Sequence, residues 1–349
     1  MKAEFVSTLV HREISRSVIA RTQEQLAAAQ REVSTGRHAD IGKSLGAGVA
    51  RLIDTRLLAS DLDAQASANG IVETRLQETQ SALSGMVDLA QGFFDLLLSS
   101  SQTGSDRALL VEEAKSRLAA LEGLLSTTSN GAHIFSGINS AVAPMESYLA
   151  EPPGAARSSV QGAFLAEFGF APDDPAVPGI SAAQMEDYLS GSFALLFQDT
   201  SWKANFSTAS DEPLRDRISK NETLATSVSA NSSGIRELVQ VLVAAVDSGT
   251  GALDAEAFQS LTRQLATVAG RAIHGLLRTQ GEVGIAQERL AKASERTTIE
   301  RTLLAEKIGL AEGVDAYGAA VRLTTLQTQI EASYAVTARV QQLSLLSYL

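Results

Sequence analysis

The chain has 349 residues, a net charge of -11, a pI near 5.0 and no cysteine. So acidic a chain repels nucleic acid and anionic membrane surfaces, and the lack of cysteine excludes disulfides, thiolate metal sites and cysteine nucleophiles. Aromatic residues make up only 5%, so the core draws mainly on Ala and Leu, which suits helices packed closely side by side.

The first residues, Met1-Lys2-Ala3-Glu4-Phe5-Val6, lead into Ser, Thr and charges without an apolar stretch, so no cleavable secretory signal is expected. No apolar run approaches the ~18 residues needed to span a bilayer. Both features fit a cytoplasmic protein, and equally one exported unfolded through a dedicated apparatus.

The N-terminal arm reads as helix after helix. Ile19, Leu26 and Val33 recur every seven residues within polar sequence, the narrow seam of a coiled coil. Gly36 ends that helix, because glycine takes the left-handed cap conformation at no steric cost. Residues 37–48, with Gly42, Gly46 and Gly48, read as a loop. A second helix is expected from about Val49 to Ser100, with Leu76, Leu83, Ala90 and Leu97 keeping the seven-residue period. After a break at 101–106 a third helix carries Leu110, Ala114, Leu118, Leu121 and Leu125 on one face.

All seven prolines then fall between Pro144 and Pro213. Proline breaks helix interiors, so two proline-free helical arms, 1–143 and 214–349, flank an inserted unit at 144–213. That insert holds ten Asp/Glu against two Lys/Arg, and nine of the seventeen aromatics, including the single tryptophan, Trp202. It reads as a small α+β domain with its own core. Met185, Leu189 and Phe193, four apart, predict a short amphipathic helix. Trp202, Ala204 and Phe206, alternating with Lys203, Asn205 and Ser207, predict a strand.

The C-terminal arm returns to helix. Asp254 is the expected N-cap, and Phe258, Leu261, Leu265, Val268 and Ala272 step by three and four. From Gly284 onward one uninterrupted helix is expected, with one seam at Leu323, Leu326 and Ile330 and another at Val336, Val340 and Leu343. A helix of ~60 residues would be ~90 Å long, too long for one globular core, so the two chain ends are expected to pair antiparallel. The predicted fold class is mainly α: a long antiparallel helical or coiled-coil bundle from both chain ends, with a small inserted α+β domain.

Catalytic and metal constellations are not found. Gly42-Lys43-Ser44 ends like a phosphate-binding loop, but the required earlier glycine position holds Arg37, and helical heptads stand where a strand should precede it. His11, His38, His133 and His274 show no metal-ligand spacing. Glu112-Glu113 point to different helix faces, and Asp173-Asp174 sit in a proline-flanked turn. The chain is therefore read as neither an enzyme nor a cofactor-binding protein.

Several segments resemble one family. Val33-Ser34-Thr35-Gly36-Arg37 is similar to the "STGK/R" helix end of flagellins and flagellar junction proteins. Asn130-Gly131-Ala132-His133-Ile134-Phe135-Ser136-Gly137 resembles the "NGxYLFSG" segment of hook-associated protein 3, where a flagellin more often shows "TxFNGxxLL". Val283-Gly284 with Gln287 and Leu290, then Gly313-Val314-Asp315, then Leu323 to Gln327 with Ile330 to Tyr334, resemble the C-terminal helix of the same family. The closing Leu343-Ser344-Leu345-Leu346-Ser347-Tyr348-Leu349 is similar to its "LSLLNYL" ending. One departure stands out. The family's "SPSDDP" turn is replaced here by His38-Ala39-Asp40-Ile41-Gly42-Lys43-Ser44-Leu45.

The chain is thus identified by resemblance as a member of the bacterial flagellin superfamily, nearest the hook–filament junction type. That resemblance implies a secreted, extracellular structural subunit that passes the flagellar type III export apparatus, with an export chaperone as a further partner. It implies arms that are poorly ordered in the free subunit and pair on assembly. The implied partners are other copies in a ring, the adjacent hook-associated protein and flagellin, with neither nucleic acid nor membrane insertion. Ile19, Leu26, Val33, Val340, Leu343 and Leu346 are the expected assembly contacts. Three alternatives remain at this point: a flagellin filament subunit, an intracellular coiled-coil scaffold protein, and an enzyme hosted in the acidic middle unit, for which no constellation there speaks.

Overall fold

A computed structural model describes the backbone of residues 2–103 and 107–346, and the side chains of Val10, 13–101 and 107–339. It forms two compact units. One comprises Met1–Ala64 with Thr298–Leu349, the other Gln65–Thr297.

The first unit is helical throughout. It contains α1 (Lys2–Thr35), α2 (Ile41–Leu45), the beginning of α3 (Val49–Thr103), and, from the far end of the chain, the last part of α10 (Ala255–Glu312) and all of α11 (Ala316–Leu346). Gly36 takes φ +68° and ends α1, its N–H donating to the Glu32 carbonyl at 2.9 Å. The segment expected as plain loop contains the short α2. Asp40 caps it by accepting from the Lys43 N–H at 3.0 Å, and that bond holds the Asp40 carboxyl below the usual carboxylate range.

The second unit is built around α4 (Arg107–Leu125) and two later helices, α9 (Ser233–Asp247) and α10. Leu110, Ala114, Leu118, Leu121 and Leu125 are all buried, so the core face of α4 is the one its spacing predicts. A tight hairpin follows, β1 (Thr128–Ser129) with β2 (Ala132–His133), turning through Asn130 at φ +50° and Gly131 at φ +80°. The chain then delivers Ile134 and Phe135 into the core. Gly137, at φ +59°, could not be another residue: a Cβ there would lie 2.6 Å from the carbonyl oxygens of Ser210 and Glu212.

Residues 144–213 supply four further helices: α5 (Ala155–Phe168), α6 (Ala182–Ser190), α7 (Ser192–Leu195) and α8 (Asp199–Asn205). Ser181 and Gln184 form a complete capping box at the start of α6. Ser181→Ala should therefore cost the unit about 1 kcal/mol in chemical denaturation. The helix expected through Met185, Leu189 and Phe193 breaks at Gly191, with Phe193 falling in α7; all three side chains are buried.

The strand expected at Trp202–Phe206 is α8 instead. Trp202 and Phe206 are buried four residues apart and stack at 5.2 Å, while Ala204 between them is exposed. A four-residue step fits one helix face as well as one strand face. The strands lie just beyond the last proline: β3 (Arg215–Ser219) pairs antiparallel with β4 (Glu222–Ala225), burying Ile218 and Leu224. The aromatics of 144–213 share one continuous core with α4, α9 and α10.

The central helix of this unit is α9 (Ser233–Asp247), apolar on nearly every side and correspondingly buried. It meets α10 (Ala255–Glu312) backbone to backbone. A Cβ on Gly234 would come within 2.7 Å of the backbone of Gly275 and Leu276. Gly234→Ala should force the helices apart and destabilise the unit by about 1–3 kcal/mol, read from its denaturation midpoint. Asp254 caps α10 as expected, accepting from the Ala257 N–H at 2.7 Å. Α10 runs 58 residues, about 87 Å at 1.5 Å per residue. The single helix expected to the end of the chain is in fact two: it breaks at Gly313-Val314-Asp315, and Asp315 caps α11 (Ala316–Leu346) by accepting from the Gly318 N–H at 3.0 Å.

Candidate assembly surface

The pairing of the chain ends is a matter of two matched seams. On α11, Ala319 and Leu326 are buried, with Leu323, Ile330, Ser333 and Thr337 half-buried, stepping by four and three. On α1, Thr22 and Ala29 are buried, with Ile19 and Leu26 half-buried. These are the a and d positions of a heptad pair. Polar contacts fix the antiparallel register: Gln23 Nε2 donates to Tyr334 Oη at 2.8 Å, and Arg322 Nη1 donates to Glu32 Oε2 at 3.1 Å.

Of the residues expected at the assembly contact, Ile19 and Leu26 thus sit on the inward face of α1. Val33 does not; it is 41% exposed. The inward position one residue earlier is taken by Glu32, whose carboxylate also accepts from the Ala39 N–H at 3.2 Å. Val336, expected on a second seam, faces outward, and Thr337 takes the inward place. The side chains of Val340, Leu343 and Leu346 lie outside the described residues.

Apolar side chains of the same unit also face solvent. Val10, Ile14 and Val18 follow one another every four residues on α1. Ile299 and Leu303 do so on α10, with Leu310 seven residues further on, Tyr317 and Val321 on α11, and Ile53 and Leu57 on α3; Leu310 and Tyr317 are more than three-quarters exposed. Apolar side chains at helical spacing, left uncovered on paired helices, are what an interface with further helices requires.

Sequence reasoning missed the charged residues at the base of the pair. Glu312 is buried, with its side chain 1% exposed, and ion-pairs with Arg56 at 2.5 Å and Arg37 at 3.0 Å. Its partners stand more than 250 residues away in the chain, a distance at which no local spacing reports a contact.

The chemistry-like strings resolve into structure. Lys43 and Ser44 lie in α2 around its Asp40 cap. His38 Nδ1 stands 3.7 Å from Glu32. Among the described residues no group of three or more His, Cys, Asp or Glu is placed to hold a metal ion, and no helix is long and apolar enough to cross a membrane. In the second unit the buried carboxylate of Asp247 is matched by Tyr148 Oη at 2.7 Å and Arg157 Nε at 3.1 Å, and burial pushes the Tyr148 hydroxyl's pKa upward, so it stays a donor.

Comparison with known proteins agrees with this architecture. Residues 6–140 match the bacterial flagellin N-terminal helical region, and residues 266–349 match the bacterial flagellin C-terminal helical region. No curated protein matches the chain by sequence. Among solved structures, one described as a flagellar hook-associated protein from Vibrio parahaemolyticus is similar in fold. Its TM-score is 0.53 at 11% identity, over 77% of this chain and 99% of the other. The two matched helical regions together span more than half of the 349 residues, in the order that pairs the chain ends, and the chain belongs to the bacterial flagellin family.

Proposed function

We propose that this flagellar structural subunit joins the hook to the filament. The observation that carries the reading is the Asn130–Gly137 segment on an otherwise flagellin-like frame. It resembles the junction type of the family rather than flagellin. Its Gly137 lies so close to the backbone carbonyls of Ser210 and Glu212 that only glycine fits there. The closing Leu343–Leu349 segment resembles the same type, and the similar fold of a protein described as hook-associated adds support.

In this reading the arms, 1–143 and 214–349, carry assembly, and 144–213 is the variable insert. The subunit leaves the cell unfolded through the export apparatus, with or without a chaperone. Its terminal helices then order against neighbouring copies, the hook-associated protein on one side and flagellin on the other. Burial of the outward apolar positions offsets the ordering entropy. Ile19 and Leu26 hold the α1–α11 pair, and Val33, Val340, Leu343 and Leu346 meet neighbours.

Antibodies raised against residues 144–213 test the position by electron microscopy of intact flagella. A single narrow band at the hook–filament boundary is expected. Label along the whole filament would favour the flagellin reading, and label confined to the cell interior would favour a scaffold.

A further inference from the structure

The second unit carries a polar cleft that the helical seams do not use. It holds about 800 Å³ and lies between the α7–α8 turn on one side and α9 and α10 on the other. One face of α9 lines it with Arg236 and Gln240, one helical turn apart. Arg271 of α10 joins them, and the half-exposed Leu195 of α7 forms an apolar rim.

Gln240 is the unexpected residue. From Leu238 to Val246 it is the only polar side chain. It is 9% exposed, yet its side-chain amide makes no hydrogen bond to any described residue. An amide offers two donors and an acceptor, and burying it unpaired is unfavourable against an apolar side chain of the same volume. Arg236 is in the same position in part. Its Nη1 donates to the Asp199 carboxylate, but its Nε is buried without a partner among the described residues. The Asp199 side chain is itself three-quarters exposed, so water supports its charge whether or not Arg236 does. Two buried side chains short of partners, one turn apart in one cleft, point to a ligand that supplies them.

The charges indicate its kind. Arg236 is matched by Asp199, and Arg271 Nε donates to Glu237 Oε1 at 3.2 Å. Arg278 adds a third guanidinium at the edge, where its Nη2 donates to Ser233 Oγ at 3.2 Å. Three cations against two carboxylates leave the cleft net positive. A guanidinium with free donors suits a carboxylate. Gln240, donor and acceptor at once, suits an amide, and Leu195 suits an apolar side chain. A carboxylate beside an amide and an apolar group is the chemistry of an acidic residue within a peptide chain.

We propose that this cleft binds an acidic peptide segment of a partner chain, with Arg236 and Arg271 taking its carboxylate and Gln240 pairing with an adjacent main-chain amide. The proposal does not rest on the position of the subunit in the flagellum.

Fluorescence anisotropy of a labelled acetyl-Ala-Leu-Glu-Ala-amide peptide, titrated with the full-length chain, tests it. Saturable binding is expected, weakened at least about tenfold when the peptide's Glu is replaced by Gln, and by a similar factor in Gln240→Met. Gln240→Met should also raise the urea midpoint of the free chain, because it removes an unpaired amide and keeps the volume. A lowered midpoint would overturn the proposal, since Gln240 would then serve the fold. If that variant fails to fold, Arg236→Lys, which keeps the charge and removes the Nε donor, should weaken the peptide by at least about tenfold. No saturable binding, equal binding of the Glu and Gln peptides, or binding unchanged in both variants would overturn it. Full displacement of the peptide by acetate at equal concentration would overturn the peptide reading in favour of a site for small carboxylates.

Discussion

Leu26→Asp is expected to abolish incorporation of the subunit into the flagellum while leaving the second unit folded. Leu26 is half-buried on the inward face of α1. It lies between the Gln23–Tyr334 contact and the Glu32–Arg322 pair, so it faces the stretch of α11 that carries Leu326 and Ile330. No cation stands on that stretch of α11, where Leu326 to Ile330 are apolar or uncharged polar. A carboxylate placed there must either stay hydrated, which parts the helices, or be buried unpaired, which costs several kcal/mol. At 1.4 kcal/mol per tenfold, even about 3 kcal/mol weakens the α1–α11 pairing that assembly needs more than 100-fold. Leu26→Met, which keeps the volume and the apolar surface, should assemble normally. Sheared flagella probed with antibody read the incorporation, and near-ultraviolet circular dichroism of the purified variant reads the Trp202 environment of the second unit. Normal incorporation of Leu26→Asp would mean that the α1–α11 seam does not carry assembly.

The second large effect concerns stability. Trp202→Ala should destabilise the second unit by about 3–5 kcal/mol. Trp202 is fully buried, stacks on Phe206 at 5.2 Å with nearly parallel rings, and packs against Phe197. Its Nε1 donates to Asn231 Oδ1 at 2.8 Å, which ties α8 to the loop that enters α9. Truncation removes the largest side chain from a core that holds few aromatics outside this segment, and it leaves a cavity that the stacked Phe206 can only partly fill. Urea unfolding followed by far-ultraviolet circular dichroism measures the loss. A shift equivalent to less than about 1 kcal/mol would mean that the ring is not part of the common core.

The helical face of α4, the heptads of α3 and the Asp254 cap were legible because each is set by residues a few positions apart. Leu110 to Leu125 and Phe258 to Ala272 repeat at the helix period, and the structure buries every member. Trp202 and Phe206 were ambiguous for a physical reason: a spacing of four satisfies both a helix face and a strand face, and only the exposure of Ala204 separates them. The β3–β4 hairpin went unread because a proline-free segment between helices was taken to be helical, while Ile218 and Leu224 reach the core from its two strands, Leu224 opposite Asp216 and Ile218 at the irregularity between Arg217 and Ser219. The break at Gly313 had its signal in the sequence, a glycine followed by a capping aspartate. What overrode it was the length of the apolar repeat on either side. Glu32 and Glu312 lay beyond sequence reasoning altogether, since a buried carboxylate is recognised by its cations, and Arg322, Arg37 and Arg56 are distant in the chain.

The seam of α1 illustrates the same limit at one position. A strict seven-residue repeat points to Val33 after Leu26, but the pair does not continue at that spacing to the end of α1. Gly36 turns the chain at once, and the inward place goes to Glu32, where Arg322 and the Ala39 N–H satisfy its charge. Val33 is left at the surface, among the outward apolar positions to which the assembly reading assigns a neighbour.

Deletion of the gene for this chain, with electron microscopy of the cells and assay of flagellin in the growth medium, tests the junction role most directly. Hooks without filaments, together with flagellin lost to the medium, are the expected result. Hooks that still carry filaments of normal length would contradict it.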